Sequence, residues 1–82
     1  MADRAMLLRD LRRAVYRFGG WEDPARGKGS HTMFFRKLAT GTFSYPIPTH
    51  NKEVRAQYVK GLRARLGLTA DDGISDEDFY SS

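Results

Sequence analysis

Two histidines are the side chains of this sequence best suited to acid–base chemistry. His31 follows the glycine-containing segment Gly27-Lys28-Gly29-Ser30, and His50 follows Pro48-Thr49. An unperturbed imidazole has a pKa of about 6.5, so it accepts and donates protons near neutral pH. In RNA cleavage such a group takes the proton of a 2'-hydroxyl or protonates the leaving 5'-oxygen, and it raises the rate by about 100- to 10,000-fold. His31 is the stronger candidate, although by itself the pattern also fits a turn histidine that bonds the backbone.

The turn before His31 has the composition of a phosphate-binding segment. Glycines on both sides of Lys28 let the backbone approach a phosphate closely and leave amide groups free to bind it. The spacing is not that of a nucleotide-binding P-loop, because Gly29 rather than Ser or Thr follows the lysine. The residues that we expect to bind RNA lie in and near this turn: Arg26, Lys28, Gly29, Ser30 and Arg36.

The charge is distributed unevenly along the chain. All fourteen Lys and Arg residues lie in residues 1–68, against five acids there, so this part carries +9, whereas the other five acids lie in residues 70–82. A body of this size with that charge attracts polyanions, and the phosphate backbone of nucleic acid is the commonest one in cytoplasm. The charge therefore favours nucleic acid, or a protein that mimics it, as the partner.

Composition excludes several other classes of protein. With 82 residues we expect a single domain, 1–82, whose residues 70–82 form an acidic tail. The sequence contains no cysteine, and two histidines alone make a poor metal site, so we expect neither a metal nor any other cofactor. The purely apolar stretches, such as those that contain Leu7-Leu8 and Phe34-Phe35, are far shorter than a membrane span, and the N-terminus lacks an export pattern, which indicates a cytoplasmic protein without a membrane contact.

The first element is predicted to be a helix from Asp3 to Phe18. Apolar residues recur there at helical spacing, and Gly19-Gly20 follows as a C-terminal stop. The opposite face is rich in arginine, and it is either solvated or in contact with an anionic partner. Its members are Arg9, Arg12, Arg13 and Arg17.

Short aromatic runs separated by glycine and proline then predict three antiparallel strands: Trp21 to Ala25, His31 to Lys37 and Thr42 to Ile47. Pro46 and Pro48 lack an amide hydrogen, so the third strand should lie at a sheet edge. Trp21 could stack nucleobases, but its alternating position favours packing in the core.

A second helix is predicted from Glu53 to Leu66, with Lys60 and Arg63 facing away from its apolar stripe. Gly67 should cap it. In the tail, Ser75 should cap a short helical turn, Asp76 to Tyr80, that packs Phe79 inward. The predicted class is therefore α+β, in the order helix, three-stranded antiparallel sheet, helix and short C-terminal helical turn.

Several motifs in this order resemble the HicA family. They are Gly29-Ser30-His31, Ile47-Pro48-Thr49-His50, Lys52-Glu53-Val54, the helix end from Gly61 to Leu68, and the acidic-aromatic ending from Ser75 to Phe79. The similarity extends from about Leu7 to Phe79.

The resemblance implies a double-stranded-RNA-binding-domain-like fold and the toxin of a type II toxin–antitoxin pair. Such a toxin is a metal-independent and ribosome-independent endoribonuclease that cleaves mRNA, with the histidine of the Gly-Ser-His motif, here His31, as its catalytic residue. The resemblance also implies a HicB-type antitoxin that covers this site. Two alternatives stay open: a non-catalytic RNA-binding module of the same fold, and an adaptor whose arginine face binds an acidic protein.

Overall fold

Three α-helices, five β-strands and a short 3₁₀ helix form in residues 3–24 and 31–81, the part of the chain that the computed structural model describes. Their bounds in chain order are β1 Met6–Leu7, α1 Leu8–Arg17, β2 Trp21–Asp23, β3 His31–Leu38, β4 Gly41–Pro48, β5 Glu53–Val54, α2 Ala56–Arg65, the 3₁₀ helix Ala70–Asp72, and α3 Asp76–Tyr80. None of the helices in these residues has the length and apolar character that crossing a bilayer requires. The chain is thus an α+β domain, as predicted.

The main sheet has three antiparallel strands in the order β2-β3-β4. Phe34 of β3 lies opposite Tyr45 of β4, and Trp21 of β2 lies opposite Phe35. The predicted three-stranded meander is confirmed, and β4 is an edge strand. That position accommodates Pro46 and Pro48, because an edge strand leaves half of its amides without a ladder partner.

A second sheet, formed by β1 and β5, was not predicted, because the apolar residues of β1 continue the helical spacing of α1. The helix predicted from Asp3 begins only at Leu8, because Met6 pairs with Val54 and Leu7 with Glu53. For the same reason the second helix begins at Ala56 instead of Glu53. A further bond, from the amide of Leu8 to the carbonyl of Lys52 (2.7 Å), holds the start of α1 against the chain that precedes β5.

Both long helices pack on one face of the main sheet, where the core forms. Tyr45 approaches α2 so closely that any side chain at position 61 would collide with its ring, which explains Gly61. Glycines with positive φ follow both helices as predicted, Gly19 (φ +86°) after α1 and Gly67 (φ +68°) after α2. The fully buried core side chains include Leu11, Val15, Phe34, Ile47, Leu62, Leu66 and Phe79.

Arg63 is buried, and the prediction that it faces solvent is wrong. Its side chain is 3% exposed, because the tail folds over it. The guanidinium donates to a carboxylate oxygen of Asp3 and of Asp76 (both 2.8 Å) and to the carbonyl of Leu68 (2.8 Å). Phe79 packs beneath it, with 4.7 Å from the guanidinium carbon to the ring centre, which confirms the inward packing predicted for this residue.

The tail is ordered as the sequence predicts. Ser75 precedes α3, and its hydroxyl accepts a hydrogen bond from the amide of Asp78 (3.1 Å), the geometry of an N-cap. The tail is therefore part of the folded domain.

Acid is expected to weaken the fold through Asp3. Partial burial acts to raise the pKa of Asp3, but hydrogen bonds from Tyr80 and Arg63 outweigh it and hold the pKa below its ordinary value of 3.8. A carboxylate with a lowered pKa stabilises the folded state above the pKa of the unfolded chain, about 3.9, and this contribution is lost as the pH falls through the folded value. In urea titrations, the difference in unfolding free energy between wild type and Asp3→Asn should therefore be largest at neutral pH and shrink below about pH 4. A difference that stays constant down to acid pH would contradict this, and Asp71→Asn, at an exposed acid, is the control.

Candidate functional site

His31 opens β3 at the end of the main sheet, with its side chain exposed. Thr32 and Phe34 are buried against the helices, so the alternation of the strand turns His31 to the opposite side of the sheet. We call this side the outer face; its members on β3 are His31, Met33, Phe35 and Lys37. The candidate catalytic residue is thus accessible to a ligand.

His50 lies at the same end of the sheet as His31. The Cα of His31 is paired with that of Pro48, the last residue of β4, and His50 follows two residues later with an exposed side chain. Partner Cα atoms in an antiparallel ladder are about 4.5–5.5 Å apart and two residues of chain span at most about 7 Å, so the two histidine Cα atoms lie within about 13 Å. One ligand can therefore reach both histidines.

A basic cleft of about 500 Å³ lies beside His50. It forms because the β1–β5 pairing fixes the segment 49–52 against the first turn of α1. Three cations lie around it, which suits a phosphate group. The lining residues are Leu7, Leu8, Arg9, Arg12, Thr49, His50, Asn51 and Lys52.

Part of the positive charge of the cleft is compensated within the protein. Arg12 forms an ion pair with Glu22 of β2 (2.9 Å from Nε to Oε1). Glu22 also accepts a hydrogen bond from the hydroxyl of Tyr16, and this bond raises the pKa of Tyr16 above its ordinary value of 10.0. The side chain of Arg9 is 74% exposed, and its contact with Asp10 is long (3.7 Å from Nε to Oδ1). Lys52 is exposed as well. Arg9 and Lys52 therefore carry the most accessible positive charges of the cleft.

The arginine face of α1 is divided between internal and external roles. Arg17 donates from one nitrogen to the carbonyls of Asp78 (2.6 Å) and Phe79 (3.2 Å), so it fastens the tail to α1. Arg9 and Arg13 remain exposed on this helix. Contact with an anionic partner therefore involves at most part of the predicted face.

Arg36, which we expected to bind RNA, is held by main-chain carbonyls. Its Nε donates to Phe18 (2.9 Å), and one terminal nitrogen donates to Leu66 (3.0 Å) and Gly67 (3.2 Å). Arg36 thereby satisfies the last carbonyls of α1 and α2 together, which gives it a structural role. A contact between Arg36 and RNA stays a prediction.

Four other predicted RNA-binding residues lie outside the described residues. They are Arg26, Lys28, Gly29 and Ser30, which directly precede His31 in the chain.

Trp21 is on the surface, and the expectation that it packs in the core is wrong. It is 43% exposed and lies on the outer face, because its partner in the register is Phe35.

Sequence reasoning also missed Thr49, Asn51 and Lys52 as lining residues of the cleft. Their signal was a polar segment between a strand and a helix, but the opposing wall comes from the distant β1–β5 pairing.

The chain matches no protein-family model, no curated protein and no solved structure. The resemblance to the HicA family accordingly rests on the sequence motifs alone.

Proposed function

We propose that this protein is a HicA-like endoribonuclease, the toxin of a type II toxin–antitoxin pair, which cleaves mRNA in the cytoplasm with His31 as catalytic residue. In this proposal it needs no metal or other cofactor, and a HicB-type antitoxin covers the site. The observation that carries the proposal is the exposed His31 at the start of β3, within reach of a second histidine and a basic cleft.

The architecture supports the proposal as well. A double-stranded-RNA-binding-domain-like fold has a helix, a three-stranded antiparallel sheet and a second helix, with both helices on one face. The order of α1, β2 to β4 and α2 agrees with it, and the two-stranded β1–β5 sheet is an addition to it.

The proposed reaction is an internal transesterification. The imidazole of His31 removes the proton of a ribose 2'-hydroxyl, the 2'-oxygen attacks the adjacent phosphorus, and the bond from phosphorus to the 5'-oxygen breaks. One product carries a 2',3'-cyclic phosphate. The 5'-oxygen leaves as a hydroxyl after it receives a proton from His31 or from His50. Arg9 and Lys52 would hold the phosphate backbone and favour the build-up of negative charge on the reacting group.

Incubation with a long single-stranded transcript in EDTA tests this reaction. We expect shortened RNA with 5'-hydroxyl ends, whereas the same sequence carrying 2'-O-methyl groups should be bound but remain intact, because it lacks the attacking hydroxyl. His31→Ala protein purified in the same way controls for contaminating ribonucleases.

Two other results would contradict the proposed enzymatic activity. Salt-sensitive retention of RNA that is never shortened would favour the non-catalytic RNA-binding module. Failure to retain any RNA at physiological salt would favour the adaptor that binds an acidic protein.

A further inference from the structure

The outer face of the main sheet carries an exposed pair of stacked aromatic rings. The rings of Trp21 and Phe35 are nearly parallel (9°), with 5.6 Å between their centres. The large apolar residues that are exposed in residues 3–24 and 31–81 are Leu7, Tyr16 and Trp21, and of these Trp21 alone belongs to the main sheet. An exposed tryptophan already fixed against a second ring is well suited to stack a further planar group.

We propose that this outer face binds single-stranded RNA, with Trp21 and Phe35 stacking unpaired bases and His31 acting on a phosphate of the same strand. The inference rests on the proposed function, since it names the substrate of that site and the residues that position it. Trp21 and Phe35 are positioning residues in this scheme, and His31 remains the catalytic one.

The register places the two parts of the site on one line. His31 and Phe35 lie on the same side of β3 and four residues apart, which corresponds to about 13 Å along the strand. Met33 lies between them and adds apolar surface, and Lys37 follows Phe35 on the same side with a positive charge. An RNA strand laid along β3 can therefore stack bases on Trp21 and Phe35 and present phosphates to His31 at one end of the face and to Lys37 at the other.

Charge and chemistry favour RNA as the occupant of this face. Residues 1–68 carry +9, so a polyanion is attracted to the body on which the face lies. Asp23, opposite Met33, brings an acid to this face, so phosphate contacts are expected at its ends and base contacts at its centre. Stacking requires bases whose faces are free, as in a single strand, whereas a duplex hides them.

Intrinsic fluorescence tests the inference directly, because Trp21 is the only tryptophan of the sequence. The probe is a short, mixed-sequence 2'-O-methyl oligoribonucleotide, which the enzyme cannot cleave. We expect saturable quenching of the Trp21 emission by the single strand and much weaker quenching when the oligonucleotide is annealed to its complement.

Substitutions of Trp21 test whether an aromatic ring at this position is needed for binding. Trp21→Leu should weaken binding of the labelled oligonucleotide by about 5- to 150-fold, the range expected for losing one stacked base. Trp21→Tyr should retain most of the affinity, since it keeps an aromatic ring. The matched control is Tyr16→Leu, which removes a similarly exposed aromatic residue (49% against 43% for Trp21) from α1 instead of the outer face. Melting temperatures are compared for all variants, and the quenching experiment needs no variant at all.

The outcomes distinguish this inference from the proposed function. Cleavage by wild type without quenching, together with full affinity in Trp21→Leu, overturns the stacking surface but leaves the ribonuclease intact. Quenching and weaker binding in Trp21→Leu, without cleavage by wild type, supports the stacking surface and overturns the ribonuclease. If Trp21→Leu changes only the oligomeric state, the face binds a second copy of the chain and the inference is overturned.

Discussion

Replacement of His31 by alanine is expected to slow RNA cleavage by about 100- to 10,000-fold, the usual contribution of a positioned acid–base group. The side chain is exposed at the start of β3, so its removal should leave the free energy of unfolding within about 0.5 kcal/mol of wild type. Loss of activity can then be assigned to chemistry. The measurement is the rate of fragment formation from a long transcript in EDTA, with circular dichroism spectra and melting temperatures matched between the two proteins.

His50→Ala is the matched control, because it removes the other histidine from the same end of the sheet. We expect a smaller loss of activity for His50, whose proposed part is to share the protonation of the leaving group with His31. A folded His31→Ala protein with full activity would contradict the proposed mechanism.

Replacement of Arg63 by methionine is expected to reduce the free energy of unfolding by about 3–5 kcal/mol, the usual cost of removing one partner of a buried ion pair. The side chain is 3% exposed, and its loss leaves the carboxylates of Asp3 and Asp76 close together without the guanidinium that they share. The substitution also removes the hydrogen bonds that the guanidinium donates to the carbonyls of Leu68 and Ile74. At about 0.05–0.15 kcal/mol per residue, a domain of this size has only about 4–12 kcal/mol of stability, so the variant retains little of it.

Urea titration of wild type, Arg63→Met and Arg65→Met measures this effect. Arg65 is the matched control, because it is an exposed arginine two residues further along α2, where its guanidinium lies over the ring of Phe43 (5.3 Å). Its loss should cost about 1 kcal/mol or less. Arg63→Lys, which keeps the charge but loses the planar fork of donors, should also be clearly destabilised. Equal stability of the Arg63 and Arg65 variants would contradict the role assigned to the buried cluster.

The elements that the sequence predicts correctly are those determined by local signals. The short aromatic runs of β3 and β4, the glycines after α1 and α2, and the serine cap of α3 are signals that each act within a few residues of the chain, and the elements that they predict are confirmed. The position of His31 at the start of a strand follows from the same local pattern.

The features that could not be predicted depend on distant partners. Met6–Leu7 continues the apolar pattern of a helix, yet it pairs with Glu53–Val54, and that pairing also creates the basic cleft. Trp21 alternates like a core residue, but only the register with Phe35 decides which face it occupies. The periodicity of a sequence predicts which side chains share a face of one helix or strand. It does not predict which other element covers that face.

Arg63 shows the same limit for charge. It lies four residues after Val59, at the flank of the apolar stripe of α2, and an arginine there ordinarily faces solvent. Its partners Asp3 and Asp76 come from the two ends of the described chain, so their convergence is a tertiary property. Arg36 is a second example, since its hydrogen-bond acceptors are carbonyls at the C-terminal ends of α1 and α2, which are distant in the chain.

The cluster around Arg63 also dictates an order of events during synthesis. Asp76 and Phe79 leave the ribosome after every strand and both long helices, and until they do, Arg63 has no counter-ion from the tail and the core lacks one of its largest rings. The other counter-ion of Arg63, Asp3, lies 60 residues earlier in the chain, and this contact also forms late, because the entropy of closing the intervening chain has to be overcome first. The nascent chain is therefore expected to remain sensitive to proteases until residue 80 has emerged, and to reach its stable form in a single late step.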